Sequence, residues 1–122
     1  METPLKIILK GKPRSTNNIY RATCRGKFAS VYLSKEGKDL KEDYQWQAKA
    51  QYRGRPHINA LGIKMKIYHP THRKNDIDNF NKLAFDSLTG IVWEDDDQIE
   101  ELHIKKHYDK DSPRIELIIK RI

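Results

Sequence analysis

Cysteine is nearly absent: Cys24 is the only one in 122 residues. No disulfide can form within the chain, and no cysteine-based metal site can be built. Long apolar runs are also missing. None approaches the roughly 18 residues of a membrane span, and the first residues carry no apolar core of a secretory signal. A reducing cytoplasm is the expected location. Repeats, low-complexity tracts and Gly/Ser-rich linkers are lacking too, so residues 1–122 are expected to form one domain. A chain this long can bury roughly two-thirds of its unfolded surface without staples. Its 37% hydrophobic residues fall in periodic segments, which argues against disorder despite 34% charged residues.

Acidic residues are scarce over most of the chain and crowded in one place. The formal net charge is +7, yet Glu94 to Glu101 holds six acids and no base, so the remainder carries +13. The first thirty residues contain seven Lys or Arg (Lys6, Lys10, Lys12, Arg14, Arg21, Arg25, Lys27) against Glu2 alone. A basic surface around one acidic focus fits a polyanion gripped by its phosphates, with metal ions at the focus. The plainer alternative is a basic exterior that merely keeps a small protein in solution.

"PLKIILK" alternates apolar and basic residues and predicts a first strand. "GKPRSTNNIYR" reads as a loop, and "GKFASVYLS" as a short extended piece. Ser34 is placed to cap a helix through "KEGKDLKEDYQWQAKAQYR", with Leu40, Tyr44, Gln47 and Ala48 on one side. "ALGIKMKIYHP" predicts a strand with Ile63, Met65 and Ile67 on one face. A second helix is expected from Asp76 to Thr89, stopped by Gly90. Ile77, Phe80, Ala84 and Leu88 line its apolar side; Asn75, Asp78, Asn79, Lys82 and Asp86 lie opposite. "QIEELHIKKHY" and "RIELIIKRI", joined by "DKDSP", predict an antiparallel hairpin. The expected pattern is β-α-β-α-β-β, an α+β domain with a mixed sheet and two main helices.

Asp76 and Asp78 stand where a helix welcomes acids, because free N–H groups and the positive end of the dipole lie there. Capping does not account for Asp95, Asp96 and Asp97 after the helix. A helix of about 20 Å and a seven-residue return reaching roughly 23 Å allow the two acidic groups to meet. Three carboxylates within about 5 Å repel by about 3 kcal/mol per pair at an effective dielectric near 20. That is a large share of a stability of roughly 5–15 kcal/mol. A divalent cation, a lysine or a raised pKa must offset it, and oxygen ligands select Mg²⁺ or Mn²⁺. Lys82, one turn after Asp78, either forms a surface ion pair or positions a scissile phosphate. Arg73 and Lys74, just before the acidic pair, are candidates to deliver the DNA backbone to it. Such a site in a basic protein points to metal-assisted phosphodiester hydrolysis. An EF-hand calcium loop is the less favoured reading, because the glycine and ligand ladder are absent.

These residues resemble a known family. "RKNDIDNFNKLAFDSLTGIVWEDDDQI" is similar to the signature of the RusA family of Holliday junction resolvases, D-x-D-N-x-x-K-x-x-x-D-x-L followed by W-x-D-D-x-Q. "PRSTNNIYR" is similar to that family's P-P-S-x-N-x-x-Y-R stretch, altered near Ser15 and Thr16. The resemblance implies a small homodimeric endonuclease, often prophage-encoded, that cuts two opposed strands of a four-way DNA junction with Mg²⁺ or Mn²⁺ and no organic cofactor. It places the essential acids on Asp76, Asp78 and Asp96, with Asp95 beside them, and the essential lysine on Lys82. Arg14, Asn17, Asn18, Tyr20 and Arg21 become candidate DNA contacts, by chemistry that suits phosphates and base edges. The run "EDDDQ" leaves the third ligand open among Asp95, Asp96 and Asp97, since an extended segment puts Asp95 and Asp97 on one face and Asp96 on the other.

His69 and His72 in "HPTHRK" lack the further ligands a zinc site needs. His103 and His107 are expected to face solvent or DNA. Trp93, Phe80, Phe85 and Leu88 read as core, and Cys24 as inert; Phe28 or Tyr20 is available to wedge between bases. Two other readings keep the same charges: a structure-selective nucleic-acid-binding module without catalysis, and a nuclease for another branched substrate such as a flap, a fork or structured RNA.

Overall fold

The structure, a computed structural model, describes residues 4–15, 20–25, 28–72 and 80–122. In chain order its elements are β1 (Leu5–Lys10), β2 (Tyr20–Arg25), β3 (Phe28–Leu33), α1 (Lys35–Gln51), β4 (Leu61–His69), α2 (Asn81–Leu88), β5 (Ile99–Tyr108) and β6 (Arg114–Arg121). β1, β6, β4 and β5 form one sheet in that order, and β2 pairs with β3 in a separate two-stranded sheet. Only β4 and β5 run parallel; β6 is antiparallel to both β1 and β4. The α+β class and mixed sheet are as the sequence leads one to expect.

One face of the sheet makes the core. Aligned rows run Leu5–Ile119–Ile63–Leu102, Ile7–Leu117–Met65–Ile104 and Leu9–Ile115–Ile67–Lys106 across the four strands. Tyr44 and Ala48 of α1 and Leu83, Ala84 and Leu88 of α2 join the same buried cluster. Ser34 caps α1 as its position suggests, its Oγ accepting from the Gly37 N–H at 3.1 Å. The opposite face carries Lys6–Ile118–Lys64–His103, Ile8–Glu116–Lys66–Lys105 and Lys10–Arg114–Tyr68–His107.

The structure departs from the sequence reading in four places. Residues Tyr20–Arg25 are a strand rather than part of a loop, paired in register with Phe28–Leu33. Helix α2 begins at Asn81 with Phe80 as its N-cap, not at Asp76. Eight residues give it about 12 Å of length. β5 and β6 do not pair as a hairpin, because β4 lies between them. The reason is burial: Leu61, Ile63, Met65, Ile67 and His69 are all buried on β4, whereas β5 is exposed at six of its ten positions and suits an edge. Finally, Asp96–Gln98 form a 3-10 turn instead of an extended run.

The link from β5 past β4 to β6 is held by charge. Asp109 Oδ1 accepts from the Asp111 and Ser112 N–H groups at 3.1 Å each, while Arg114 Nη1 donates to Asp109 Oδ2 at 2.8 Å. Arg114 Nε donates to Glu116 at 2.6 Å, and its guanidinium lies 3.8 Å from the Tyr68 ring centre. The Arg114 hydrogen bond is the chief cause holding Asp109 below its usual range. Burial would raise Glu116, but the hydrogen bond from Arg114 and the charge of Lys6 outweigh it and hold this group low too. Both carboxylates therefore stay ionised in the fold where the unfolded chain already takes up protons. Their contribution is complete above their ordinary values of 3.8 and 4.5 and is lost as pH falls through the lowered folded values. Arg114→Gln should lower the thermal midpoint at neutral pH, and the gap to wild type should close as pH falls below those ordinary values; melts from neutral to acidic pH check it.

Candidate active site

Helix α2 ends in a tight turn that delivers the acidic segment. Gly90 adopts φ +88°, and its N–H donates to the Trp93 carbonyl at 2.7 Å. It is the helix stop the sequence suggests, for only glycine takes that backbone conformation without strain. Trp93 is fully buried, with its ring edge-on to Phe85 at 5.9 Å. Its indole N–H points outward, 3.0 Å from Asp96 Oδ1 and 3.1 Å from Thr89 Oγ1. Thr89 Oγ1 lies 2.5 Å from the same carboxylate oxygen and 2.8 Å from the Phe85 carbonyl. The hydroxyl has one proton, and the charged oxygen is the stronger acceptor. Two donors from the scaffold thus orient Asp96 through Oδ1.

Asp95 has a different task. Its Oδ1 accepts from the Asp97 N–H at 3.1 Å and caps the 3-10 turn. Gln98 closes a reciprocal box: its Oε1 accepts from the Glu94 and Asp95 N–H groups at 2.9 and 2.8 Å. The Gln98 amide then donates to the carbonyls of His57 and Asn59 at 2.7 and 3.0 Å. His57 N–H in turn donates to the Val92 carbonyl at 2.8 Å. The acidic run is pinned to the segment entering β4, although Glu94 to Asp97 remain exposed. The alternation that would set Asp96 apart from Asp95 and Asp97 does not apply, because the segment is not extended; hydrogen bonding separates them instead.

The other expected site residues fall in several places. Asp76, Asp78, Arg73, Lys74, Asn17 and Asn18 lie outside the described residues. Both ends of the stretch that carries the acidic pair are nonetheless fixed. His69 meets Phe80 edge-on, with centroids 4.7 Å apart, and the His72 ring stacks on Tyr108 at 3.8 Å. His69 is buried, its Nε2 has no hydrogen-bond partner, and burial, helped by Lys106, lowers its pKa. These contacts make His69 and His72 packing residues. Among the described residues no group of three His, Cys, Asp or Glu is placed to hold a metal.

Lys82 sits in the first turn of α2 and pairs with Asp86 at 3.3 Å. Seven residues, roughly 10 Å of helical rise, separate it from Thr89. Arg14 pairs with Glu36 at 3.0 Å across the start of α1. Tyr20 and Arg21 form the start of β2. His103 is exposed as expected, but His107 stacks on Tyr68 at 4.9 Å. The sequence pattern gives Trp93 to the core without its N–H bond and includes Gln98 in the W-x-D-D-x-Q motif without its clamping role, and it gives Thr89 no role at the site. The spacing W-x-x-D, which a single turn closes, was the available signal.

Gln98→Ala removes four hydrogen bonds that fasten the acidic segment and should cost roughly 2–4 kcal/mol in urea denaturation. Gln98→Glu keeps the two accepted bonds, but its carboxylate lacks the amide donors and should recover only part of that loss.

Comparison with known proteins agrees with these motifs. Residues 10–120 match the family described as Endodeoxyribonuclease RusA. The crossover junction endodeoxyribonuclease of Escherichia coli strain K12 is 30% identical over 108 residues, covering 88% of this chain and 87% of that protein. The enzyme of the same name from Enterobacteria phage 82 is 29% identical over the same shares of each chain. An uncharacterized Bacillus subtilis protein, YqaN, is 35% identical over 49 residues, 40% of this chain and 34% of its own. This chain belongs to the RusA family of endodeoxyribonucleases.

Proposed function

We propose that this protein is a Mg²⁺-dependent endodeoxyribonuclease that resolves four-way DNA junctions by paired symmetric cuts and acts as a homodimer. The observation that carries the reading is the family match across residues 10–120. It is supported by the basic open face of the sheet, where Lys6, Lys10, Lys64, Lys66, Lys105 and Arg114 share one side with Glu116 as the acid in those rows. No helix among the described residues is long and apolar enough to cross a membrane.

The donor set fits a hard cation where it is described. Asp96 offers carboxylate oxygen only, and its hydrogen bonds fall on Oδ1, leaving Oδ2 for an ion. Asp76 and Asp78 are the proposed partners in holding it, with Asp95 beside them. Mg²⁺ or Mn²⁺ held by these acids would supply Lewis-acid chemistry: polarisation of a phosphoryl oxygen, a more acidic bound water and charge neutralisation at the leaving oxygen. Lys82 is exposed in a weak helical ion pair, which a phosphate can displace, so it can steady charge on the cleaved group. Arg14, Asn17, Asn18, Tyr20, Arg21, Arg73 and Lys74 grip the backbone near the cut.

Asp78→Asn should abolish cutting of a labelled four-way junction while binding stays equal or tightens. A non-catalytic module would bind equally well and cut in neither form; cutting by the variant at the wild-type rate would sink the proposed role of this acid. Linear duplex of the same sequence should stay intact, and a flap or fork cut faster than the junction would reassign the substrate. Binding should weaken steeply between about 50 and 200 mM salt. Thr89→Val should weaken Mn²⁺ binding, read by paramagnetic resonance, by about tenfold, because an oriented ligand loses a supporting donor.

A further inference from the structure

The two edges of the four-stranded sheet are finished differently. At β1, the outward backbone is occupied by side chains of α1. Gln51 accepts from the Ile8 N–H at 2.7 Å and donates to the Ile8 carbonyl at 2.7 Å. Gln47, one turn earlier, does the same for Lys10 at 2.6 and 3.0 Å. Each amide imitates a neighbouring strand and closes that edge to further pairing. At the other edge β5 is ten residues long, and among the described residues no strand pairs with its outer side. Leu102 and Tyr108, on the helix side of β5, are 36% and 42% exposed.

The charges along this edge are self-complementary. Two antiparallel copies can pair only with residues of like facing opposite each other, so a two-fold axis must pass through a residue position. Placed at His103, it sets Glu101 opposite the partner's Lys105 twice, and Leu102 opposite the partner's Ile104 twice. Glu101, His103 and Lys105 share the open face, and Leu102 and Ile104 share the core face, so the facing agrees. An axis at Ile104 sets His103 against Lys105, and one at Leu102 sets Glu101 against His103; neither makes an acid–lysine pair in this stretch. The irregularity of β5 lies at its start, beside Leu61 and Gly62, outside the segment 101–105. Lysines on an edge ordinarily repel strands indiscriminately. Here the acid two residues before His103 and the lysine two after turn that repulsion into a choice of register.

We propose that two copies of this chain associate through their β5 edges, antiparallel and centred on His103, to form one continuous eight-stranded sheet. The proposal rests on the homodimeric reading above and names its interface. It joins the two basic open faces across a two-fold axis, which matches the symmetry of a four-way junction.

Cysteine substitution at 102, 103 and 104 in a Cys24→Ser background tests the register. On-axis residues lie about 4.5–5.5 Å apart between Cα atoms, within disulfide reach. His103→Cys should crosslink to itself under mild oxidation, whereas Leu102→Cys and Ile104→Cys should crosslink only when mixed. Analytical ultracentrifugation tests the charges. Glu101→Lys and Lys105→Glu should each raise the dimer dissociation constant about tenfold or more, and the double variant should restore it. Wild type that stays monomeric at tens of micromolar, a dimer unaffected by either single change, or equal crosslinking at all three positions would overturn the interface. None of these readouts uses DNA or metal. A wild-type protein that passes them yet cuts no junction therefore refutes the proposed function, not the interface.

Discussion

Burial of one row on β4 governs the arrangement of everything else. Leu61, Ile63, Met65, Ile67 and His69 project to the same side and are all covered. Each apolar side chain in that row is worth roughly 2 kcal/mol relative to exposure, a sum no neighbouring strand of this sheet's outer half can match. Such a strand must take partners on both sides. β6 supplies an equally apolar row on one flank, through Ile115, Leu117 and Ile119. The other flank can be filled only by a strand the chain reaches after crossing α2, and a strand reached by such a crossover can run parallel. That strand is β5, and the acidic turn is the linker that starts it.

The placement of the acids follows from this topology. The chain leaves α2 at Gly90, on the core side of the sheet, and has eight residues in which to return to the start of β5. Trp93 fills the space beneath the turn, fully buried, and the polar edge of its ring donates its N–H to the exposed Asp96. A buried indole needs an acceptor, and an exposed carboxylate needs a fixed direction if it is to bind an ion. One contact meets both needs. Asp95, by contrast, spends an oxygen on capping the turn. Two adjacent acids of identical chemistry are thereby given different work.

Much of the fold was legible because period and caps are local. The alternation of β4, the cap at Ser34, the glycine stop at Gly90 and the apolar positions Phe80, Ala84 and Leu88 all behave as their spacing implies. Pairing order was not legible. "DKDSP" has the chemistry of a hairpin turn, and the Asx bonds of Asp109 do form. Yet turn chemistry says nothing about whether a third strand is already in place between the two arms. The start of α2 at Asn81 was not legible either, since its N-cap Phe80 makes no side-chain cap bond that a sequence pattern could signal. At the site, the acids were visible as charge, but Thr89, Trp93 and Gln98 were not. Their roles come from donors that a sequence pattern assigns to core or turn.

The same contacts fix the described part of the site. Asp96 is anchored twice to the end of α2, and its turn is clamped by Gln98 to the entry of β4, so its direction is set before any ligand arrives. On either side of residues 73–79, which include Asp76 and Asp78, the described chain is packed through His69 on Phe80 and His72 on Tyr108. Under the function proposed above, carboxylates gathered at Asp96 would repel one another. A cation would remove that repulsion, and a basic surface would concentrate the phosphates that meet it there. On this account the excess of positive charge outside residues 94–101 and the cluster of negative charge within them are two halves of one requirement.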